Sequence, residues 1–231
     1  MPFIGFDPTI VLVLPALALA LWAQFKLRGT YEKYSKIPAQ NGQTGHDMAR
    51  AIMARNGVGD VTVEPVAGAL SDHYDPRAKV VRLSEPVYAG NSIASIAVAA
   101  HEVGHVLQHQ QHYLPLQLRA TFVPVANLGS MAAFPLFIIG AFMGRGMGVL
   151  FMDLGILFFA AAVVFHLVTL PVEFDASKRA LVQLTESGAV RPDEVQGAKR
   201  VLDAAALTYV AAAAMSAMQL LRMLLIRNSR N

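Results

Sequence analysis

Two histidines and a glutamate near the middle of the chain have the spacing of a metal site. Residues 95–112 have the sequence SIAVAAHEVGHVLQHQQH, whose Ala-rich pattern predicts a helix. His101 and His105 are four residues apart, so on a helix they share one face, one turn apart, as two zinc ligands require. Glu102 lies about 100° around the helix from His101, where it can take a proton from a water molecule beside the ion and pass it to a leaving amine. The sequence therefore predicts a zinc site that can hydrolyse amide bonds.

Gly104, inside this motif, supports the same interpretation. A glycine within a helix costs about 1 kcal/mol relative to alanine, so its presence indicates that another part of the chain passes close to the helix, as at a metal site. The alternative is a buried helix with two hydrogen-bonded histidines and no metal ion.

A zinc site that keeps one position for water needs a third protein ligand. The candidates are two histidines farther along the same helix, a histidine in a later apolar segment, and two acids that follow it: His109, His112, His166, Glu173 and Asp175. His109 lies about 12 Å along a straight helix from His101, which is too far for a shared ion. We therefore expect His109 and His112 at the rim of the site or on the surface. His166 is an ionisable group in an apolar segment, which indicates either a functional role or a hydrogen bond to a neighbouring helix.

The composition indicates a membrane protein. Of the 231 residues, 55% are hydrophobic and 15% are charged, and the mean hydropathy is +0.44, whereas soluble domains have about 25% charged residues. This composition excludes global disorder, and the absence of Cys excludes disulfides and Cys-ligated metal sites. The net charge of +3 is not concentrated in one tract, so nothing predicts nucleic-acid binding.

Four uncharged runs are long enough to cross a bilayer, which takes roughly 17 to 25 apolar residues. They cover residues 8–25, 120–144, 154–172 and 204–221, and the fourth is rich in Ala and could instead be a buried helix. The predicted fold is mainly α, with three or four membrane spans and a small cytoplasmic α+β portion. Its predicted parts are an N-terminal anchor (1–27), a cytoplasmic helix–hairpin–helix portion (28–119), a transmembrane hairpin (120–172), and a cytoplasmic helix followed by the C-terminal apolar helix (173–231).

The charges between these runs predict the orientation of the chain. No Lys or Arg precedes the first run, so we expect a retained anchor rather than a signal peptide. Residues 26–122 carry 10 Lys and Arg and residues 172–203 carry 5, whereas the turn at 144–148 carries only Arg145. The positive-inside rule places the two rich segments in the cytoplasm and the turn outside, in a multi-pass protein of the inner cell membrane. If the fourth run also spans, Arg222, Arg227 and Arg230 end outside, against the same rule.

This orientation favours one third ligand. Two spans separate His105 from Glu173, so both residues lie on the same side of the membrane, and the positive-inside count agrees. We therefore predict Glu173 as the third ligand and Asp175 as a residue that supports the ligands or begins a helix. The alternative for Glu173 is an ordinary acid at the start of a helix over residues 174–185.

The polar segment before the motif helix is predicted to contain a helix and a β-hairpin. Residues 44–56 have helical spacing, residues 61–65 and 78–84 alternate like strands, and SDHYDP at 71–76 is typical of a turn. Val80–Ser84 is the candidate edge strand for binding an extended substrate. Asp72, His73 and Tyr74 could reach the cleft, where a His or Tyr could stabilise an oxyanion, or they could simply form the turn.

Three segments in this order, LSDHYDPRAKVVRLS, HEVGHVLQH and LPVEFDASKRA, resemble the YugP-type neutral zinc metallopeptidases, which are integral membrane proteins of bacteria. The resemblance covers nearly the whole chain, and the layout is similar to that of the M48 membrane metalloproteases. It implies that His101, His105 and Glu173 bind zinc and that Glu102 is the general base. The M48 enzymes have an Asp four residues after the ligand Glu; this sequence has Ser177 there, so the residues that support its ligands must differ.

Together these features predict a membrane-embedded zinc-dependent endopeptidase with Zn²⁺ as cofactor. Its expected partners are the lipid bilayer and polypeptide substrates, and its location suggests quality control of membrane proteins. The alternative is a non-catalytic membrane scaffold or assembly subunit with a structural or vacant zinc site, although such a site needs no base like Glu102. No feature of the sequence identifies a protein partner or an oligomeric state.

Overall fold

The computed structural model describes residues 8–144, 146–188 and 190–229. Asp7, Arg145 and Arg230, whose charges entered the topology prediction, lie outside the described residues. The fold is mainly α-helical with a small sheet, as predicted. In chain order the elements are a 3-10 helix (Pro8–Leu12), α1 (Leu14–Ser35), α2 (Gly45–Arg55), β1 (Thr62–Val66), β2 (His73–Asp75), β3 (Val80–Ser84), α3 (Glu85–Tyr88), α4 (Ile93–Gln110), α5 (Leu114–Met143), α6 (Met147–Glu186) and α7 (Pro192–Asn228).

The chain divides into two compact units. Residues 1–23, 118–170 and 208–231 form one, which we call the apolar unit, and residues 24–117 and 171–207 form the other, which we call the site unit.

Three helices among the described residues are long and apolar enough to cross a membrane, namely α5, α6 and α7. They cover the predicted runs at 120–144, 154–172 and 204–221 except for Gly144, which follows the end of α5, so α7 is also a candidate span. The N-terminal run is not among them, and its spanning stays a prediction. Within the apolar unit, Phe137, Met152 and Met223 pack in a buried cluster, whereas large apolar side chains such as Met131 and Phe142 are exposed. This distribution is expected where the outer surface of a helix contacts lipid.

An ion pair in the apolar unit joins the beginning of α6 to the end of α7. Arg227 donates from Nε to Asp153 Oδ1 at 2.8 Å and from Nη2 to Oδ2 at 3.0 Å. Two parallel bonds of this kind are the strong form of an Arg–carboxylate pair. The pair places the end of α7 beside the beginning of α6, as in two antiparallel spans. It also compensates one of the arginines that the positive-inside rule counts against a spanning α7.

Helix α4 forms the centre of the core of the site unit. Its N-cap Ser92 accepts a hydrogen bond from the N–H of Ser95, and the helix continues through the predicted motif. α2 begins at the predicted position, because Thr44 and Asp47 form a capping box. The apolar side chains of α2, α4 and β3 share one buried cluster, which includes Met48, Ile52, Leu83, Ile96 and Val103.

The sheet differs from the predicted hairpin. Its strand order is β1–β3–β2, with β1 parallel and β2 antiparallel to β3. The hairpin prediction was wrong because His73–Asp75, inside the segment predicted as a turn, forms a strand. Only the residues that follow this strand form a turn, in which the side chain of Asp75 accepts hydrogen bonds from the N–H groups of Arg77 and Ala78.

The position of β3 also corrects the prediction about substrate binding. Val80–Ser84 is the central strand, with both its ladders already paired and nearly all its residues buried. It therefore cannot be the edge strand, and only β1 and β2 have a free edge within this sheet.

The acids Glu173 and Asp175 lie in the interior of a long helix. The helix predicted over residues 174–185 is part of α6, which runs from Met147 to Glu186 with Pro171 inside it. Proline removes one N–H donor from the helical ladder, and long apolar helices tolerate that loss. Glu173 is therefore not an ordinary acid in a first helical turn, so this alternative does not hold.

A buried acid, Glu194, connects the start of α7 to the loop after α1. Its Oε1 accepts from the N–H of Gln40 at 2.7 Å, and its Oε2 accepts from the N–H of Arg191 at 2.8 Å. The neighbouring Asp193 also lies in the first turn, but it is exposed and pairs with Arg191 at the surface. The two acids thus carry the same charge near the same helix end and differ in their backbone contacts.

We expect Glu194→Ala to lower the free energy of unfolding by about 1–3 kcal/mol, because two backbone N–H groups lose their acceptor. Asp193→Ala should cost less than about 1 kcal/mol, since a surface ion pair contributes little. Both changes remove one acid from the helix N-terminus, so the helix-dipole contribution cancels in the comparison. Denaturant unfolding of the detergent-purified protein, followed by circular dichroism, measures the difference. Equal losses would mean that the charge of Glu194 matters and its hydrogen bonds do not.

Candidate metal centre

Three side chains from two helices converge inside the site unit. Glu173 Oε2, on α6, lies 3.3 Å from Nε2 of His101 and 3.6 Å from Nε2 of His105, both on α4. The ligand atoms of the three residues all lie within 4.8 Å of one another. Among the residues that the structure describes, no other group of three or more His, Asp or Glu converges in this way.

The donor set and its spacing suit a zinc ion. Zinc binds imidazole nitrogen and carboxylate oxygen at about 2.0–2.2 Å, so two ligand atoms on a tetrahedron lie about 3.3–3.6 Å apart. The two distances from Glu173 are close to that separation. Two histidines and one glutamate are a ligand set of catalytic zinc sites, which keep a fourth position open.

The three converging side chains are largely removed from solvent. The side chains of His101, His105 and Glu173 are 14%, 11% and 2% exposed. Burial by itself lowers the pKa of His105, but the contact with Glu173, the negative charges of Glu102 and Glu173 and the hydrogen bond with Gln108 together raise the pKa above its usual value. The centre therefore combines a buried negative charge with groups that compensate it.

Glu102 lies beside His101 on α4 and is itself buried. Burial raises the pKa of Glu102 above its usual value, although the two histidines oppose the shift. A raised pKa makes this carboxylate a stronger proton acceptor.

The second nitrogen of His101 contacts the residue where the sequence departs from the M48 pattern. Ser177 Oγ lies 3.2 Å from His101 Nδ1. When Nε2 binds a metal ion, Nδ1 carries the ring proton and donates it to this hydroxyl oxygen. Ser177 thus contacts the histidine from the position at which the M48 enzymes have an Asp.

The second nitrogen of His105 contacts a residue that the sequence analysis missed. Gln108 Oε1 lies 3.0 Å from His105 Nδ1, and Gln108 Nε2 donates to the carbonyl of Val172 at 2.8 Å and to Asp175 Oδ2 at 2.9 Å. Asp175, which was predicted to support the ligands, contacts Gln108 and accepts a hydrogen bond from Arg179. A signal for Gln108 was present in the sequence, because an amide three residues after His105 lies on the same helical face.

The close approach predicted from Gly104 is confirmed. A Cβ atom at this position would lie 2.5 Å from the backbone oxygen of Ala176. Helices α4 and α6 thus meet backbone to backbone at this point, three residues beyond Glu173. Only glycine permits this contact, which brings the glutamate to the two histidines.

The remaining predicted residues of the sheet and of α4 do not join this group. His73 is exposed and donates from Nδ1 to the carbonyl of Ser71 at 2.8 Å. Tyr74 Oη and His109 Nδ1 share a hydrogen bond of 2.9 Å. Asp72 accepts from the N–H of Ser84 at 2.7 Å, at the end of β3.

Two other histidines considered as ligands lie outside the group as well. His112 is exposed and follows the end of α4 with a φ of 51°. His166 lies on α6 in the apolar unit, half-buried beside the ring of Phe165.

Comparisons with known proteins agree with this geometry. A family model described as "Putative neutral zinc metallopeptidase" matches residues 9–228. A protein of Bacillus subtilis (strain 168) named "Putative membrane protease YugP" is 52% identical over 217 residues, which cover 94% of this chain and 95% of that protein. No solved structure matches the chain. The family match includes all three converging residues.

We expect Gly104→Ala to lower the free energy of unfolding by about 1–3 kcal/mol, because its methyl group overpacks the contact with Ala176. The same change should weaken zinc binding, since it pushes Glu173 away from the histidines. Gly29→Ala is the matched control: Gly29 is an exposed helical glycine with no neighbour within 4 Å. It should gain up to about 1 kcal/mol from helix propensity. Denaturant unfolding and zinc analysis of both variants measure the effects, and a Gly104→Ala protein as stable as Gly29→Ala would contradict the close contact.

Proposed function

The chain belongs to the family described as "putative neutral zinc metallopeptidase", and from this premise we propose that it is a membrane-embedded, zinc-dependent endopeptidase. The observation that carries the proposal is the convergence of His101, His105 and Glu173 on one point. We propose that these three residues bind Zn²⁺ and that Glu102 is the general base.

A zinc ion at this site would supply Lewis acidity, which lowers the pKa of water and polarises a peptide carbonyl. Glu102 then takes a proton from the water molecule whose oxygen forms the new bond to the carbonyl carbon. As the C–N bond breaks, Glu102 returns that proton to the leaving nitrogen, so the products are a carboxylic acid and an amine, and transfer of the acid proton to the amine then gives a carboxylate and an ammonium group. The contacts of Ser177 with His101 and of Gln108 with His105 hold the two rings in place throughout.

The alternative function is a scaffold or assembly subunit whose zinc site is structural. Structural zinc sites bind four protein ligands, whereas three ligand residues converge among the described residues. A structural site also has no use for a buried Glu102 next to the ligands. Both points favour the peptidase.

We further propose that the site faces the cytoplasm. The two segments that carry the site residues, 26–122 and 172–203, contain 10 and 5 Lys and Arg, and positive loops stay on the cytoplasmic side. Glu173 follows the apolar run 154–172 directly, so a polypeptide cleaved there would be close to the bilayer. Segments of membrane proteins and unfolded cytoplasmic chains are therefore the proposed substrates, and quality control of membrane proteins is the proposed role.

Two substitutions separate the general base from the ligands. We expect Glu102→Gln to keep nearly one zinc per chain and to lose at least about 100-fold in peptidase activity, since general-base catalysis typically contributes 10²–10⁴-fold. Glu173→Ala should lose both zinc and activity. Metal analysis of the detergent-purified protein and cleavage of fluorescence-quenched unfolded polypeptides measure the two effects.

The control for these substitutions is Glu186→Ala, an exposed acid on the same helix as Glu173. It should change neither zinc content nor activity. Full activity in Glu102→Gln would contradict the peptidase mechanism, and full zinc content in Glu173→Ala would remove this residue from the ligand set.

The absence of native Cys allows a direct test of the orientation. Asn41 and Met147 are both exposed, the first in the site unit and the second at the start of α6. In intact bacterial cells that express the protein, a membrane-impermeant maleimide should label Met147→Cys. It should label Asn41→Cys only after lysis. The reverse pattern would place the site outside the cell.

A further inference from the structure

Gln108 is a fully buried polar side chain in the interior of α4. A buried amide without partners destabilises a protein, so such a side chain is found where its hydrogen bonds are satisfied. Gln108 makes three of them, one to His105 on its own helix and two to α6. Its amide thus joins the two helices that carry the converging residues.

The surroundings of Gln108 determine which end of its amide faces His105. A backbone carbonyl and a carboxylate can only accept hydrogen bonds, so Val172 and Asp175 must face the amide nitrogen. The amide oxygen then faces His105 Nδ1, which must carry the ring proton in order to donate to it. Because Nδ1 keeps its proton, Nε2 is the nitrogen that can give up a proton and offer its lone pair to a metal ion, and this nitrogen points to Glu173.

The same amide fixes the part of α6 that carries the third residue. Val172 and Asp175 lie immediately before and two residues after Glu173, in the same helical turn. Hydrogen bonds to both therefore set the rotation and the height of that turn relative to α4. Asp175 is held in turn by Arg179, which also donates to Gln111 just after α4.

We propose that Gln108 is a positioning residue of the metal centre. It selects the tautomer and the ring orientation of His105, and it aligns the turn of α6 that presents Glu173. This inference rests on the proposed zinc site, and it concerns a residue that touches neither the ion nor the substrate.

The test compares Gln108→Met with Gln110→Met in the full-length chain in detergent. Methionine has nearly the volume of glutamine but cannot replace its hydrogen bonds, and Gln110 is an exposed glutamine on the same helix. The affinity for Zn²⁺ is measured by competition with a chelator. The visible spectrum of the Co²⁺-loaded protein reports the geometry around the ion, and unfolding of the metal-free protein reports stability.

We expect Gln108→Met to bind Zn²⁺ about 10- to 100-fold more weakly, as is typical when a partner of a metal-bound histidine is lost. Its Co²⁺ spectrum should change, whereas Gln110→Met should match the wild type in both respects. A Co²⁺ spectrum identical to that of the wild type would overturn the proposal, whatever the affinity, because a residue with a merely structural role changes the folded fraction and not the geometry of the bound ion.

A second pair of variants applies if Gln108→Met does not fold. Asp175→Asn keeps an oxygen that accepts from Gln108, whereas Asp175→Leu removes it and keeps only the branched shape of the side chain. We expect Asp175→Leu to bind Zn²⁺ several-fold more weakly than Asp175→Asn, and equal affinities would overturn the proposal. A wild-type chain that binds neither ion would overturn the zinc site and this inference together. Zinc binding without peptidase activity would overturn only the proposed reaction.

Discussion

The arrangement of the site unit depends on the contacts of the buried Glu173 carboxylate with His101 and His105. A charge that leaves water costs several kcal/mol unless opposite charge and hydrogen bonds compensate it. The side chain of Glu173 is 2% exposed and faces the Nε2 atoms of two histidines. A cation bound by the two imidazoles and the carboxylate would offset that free-energy cost most fully, because it interacts favourably with all three groups at once. Such a group of side chains is expected at a cation-binding site, whereas in a core without a cation it would lower the stability of the fold.

This constraint explains why the neighbouring contacts are so specific. Gly104 lets the backbones of α4 and α6 touch at Ala176, which sets the distance between the helices. Ser177 contacts Nδ1 of His101 and Gln108 contacts Nδ1 of His105, so the Nε2 atom of each ring remains to face the centre. Helices hold side chains more rigidly than loops do, and all of these residues lie on α4 or α6. Substituting one contact would therefore disturb the others through the shared helix geometry.

In the proposed zinc site, Ser177 and Gln108 contact the two histidines with chemistry that differs from that of a carboxylate. A carboxylate beside a metal-bound histidine strengthens its hydrogen bond and adds negative charge near the ion. A hydroxyl and an amide accept the same proton without that charge. In this chain the nearby acid, Asp175, is one hydrogen bond removed from His105 and is compensated by Arg179. The negative charge close to the centre is therefore smaller than it would be with an Asp at position 177.

The sequence determined the elements whose signals are local. Helical spacing predicted α2 within residues 44–56, the uncharged runs predicted the apolar stretches of α5, α6 and α7, and four-residue spacing placed His101 and His105 on one face. Even the close approach at Gly104 followed from the cost of a glycine in a helix. Glu173 could be predicted as the third ligand because the number of spans between two residues decides whether they lie on the same side of the membrane. The other inferences use hydrophobicity, helix propensity or helical periodicity, which are properties of a single segment of the chain.

Only the tertiary structure decided which strands pair and which polar groups meet. Residues 61–65 and 78–84 were predicted as a hairpin, but strand pairing depends on hydrogen bonds between distant backbones, and β2 takes the antiparallel position beside β3. A separate cytoplasmic helix was predicted after the apolar run 154–172, yet α6 continues through Pro171 because only one hydrogen-bond donor is lost there. Gln108 and Ser177 were not assigned to the histidines, since an amide or a hydroxyl has many possible partners and the sequence does not state which one is near. The sequence thus determined the candidate ligands, and the packing of α4 against α6 decided what holds them.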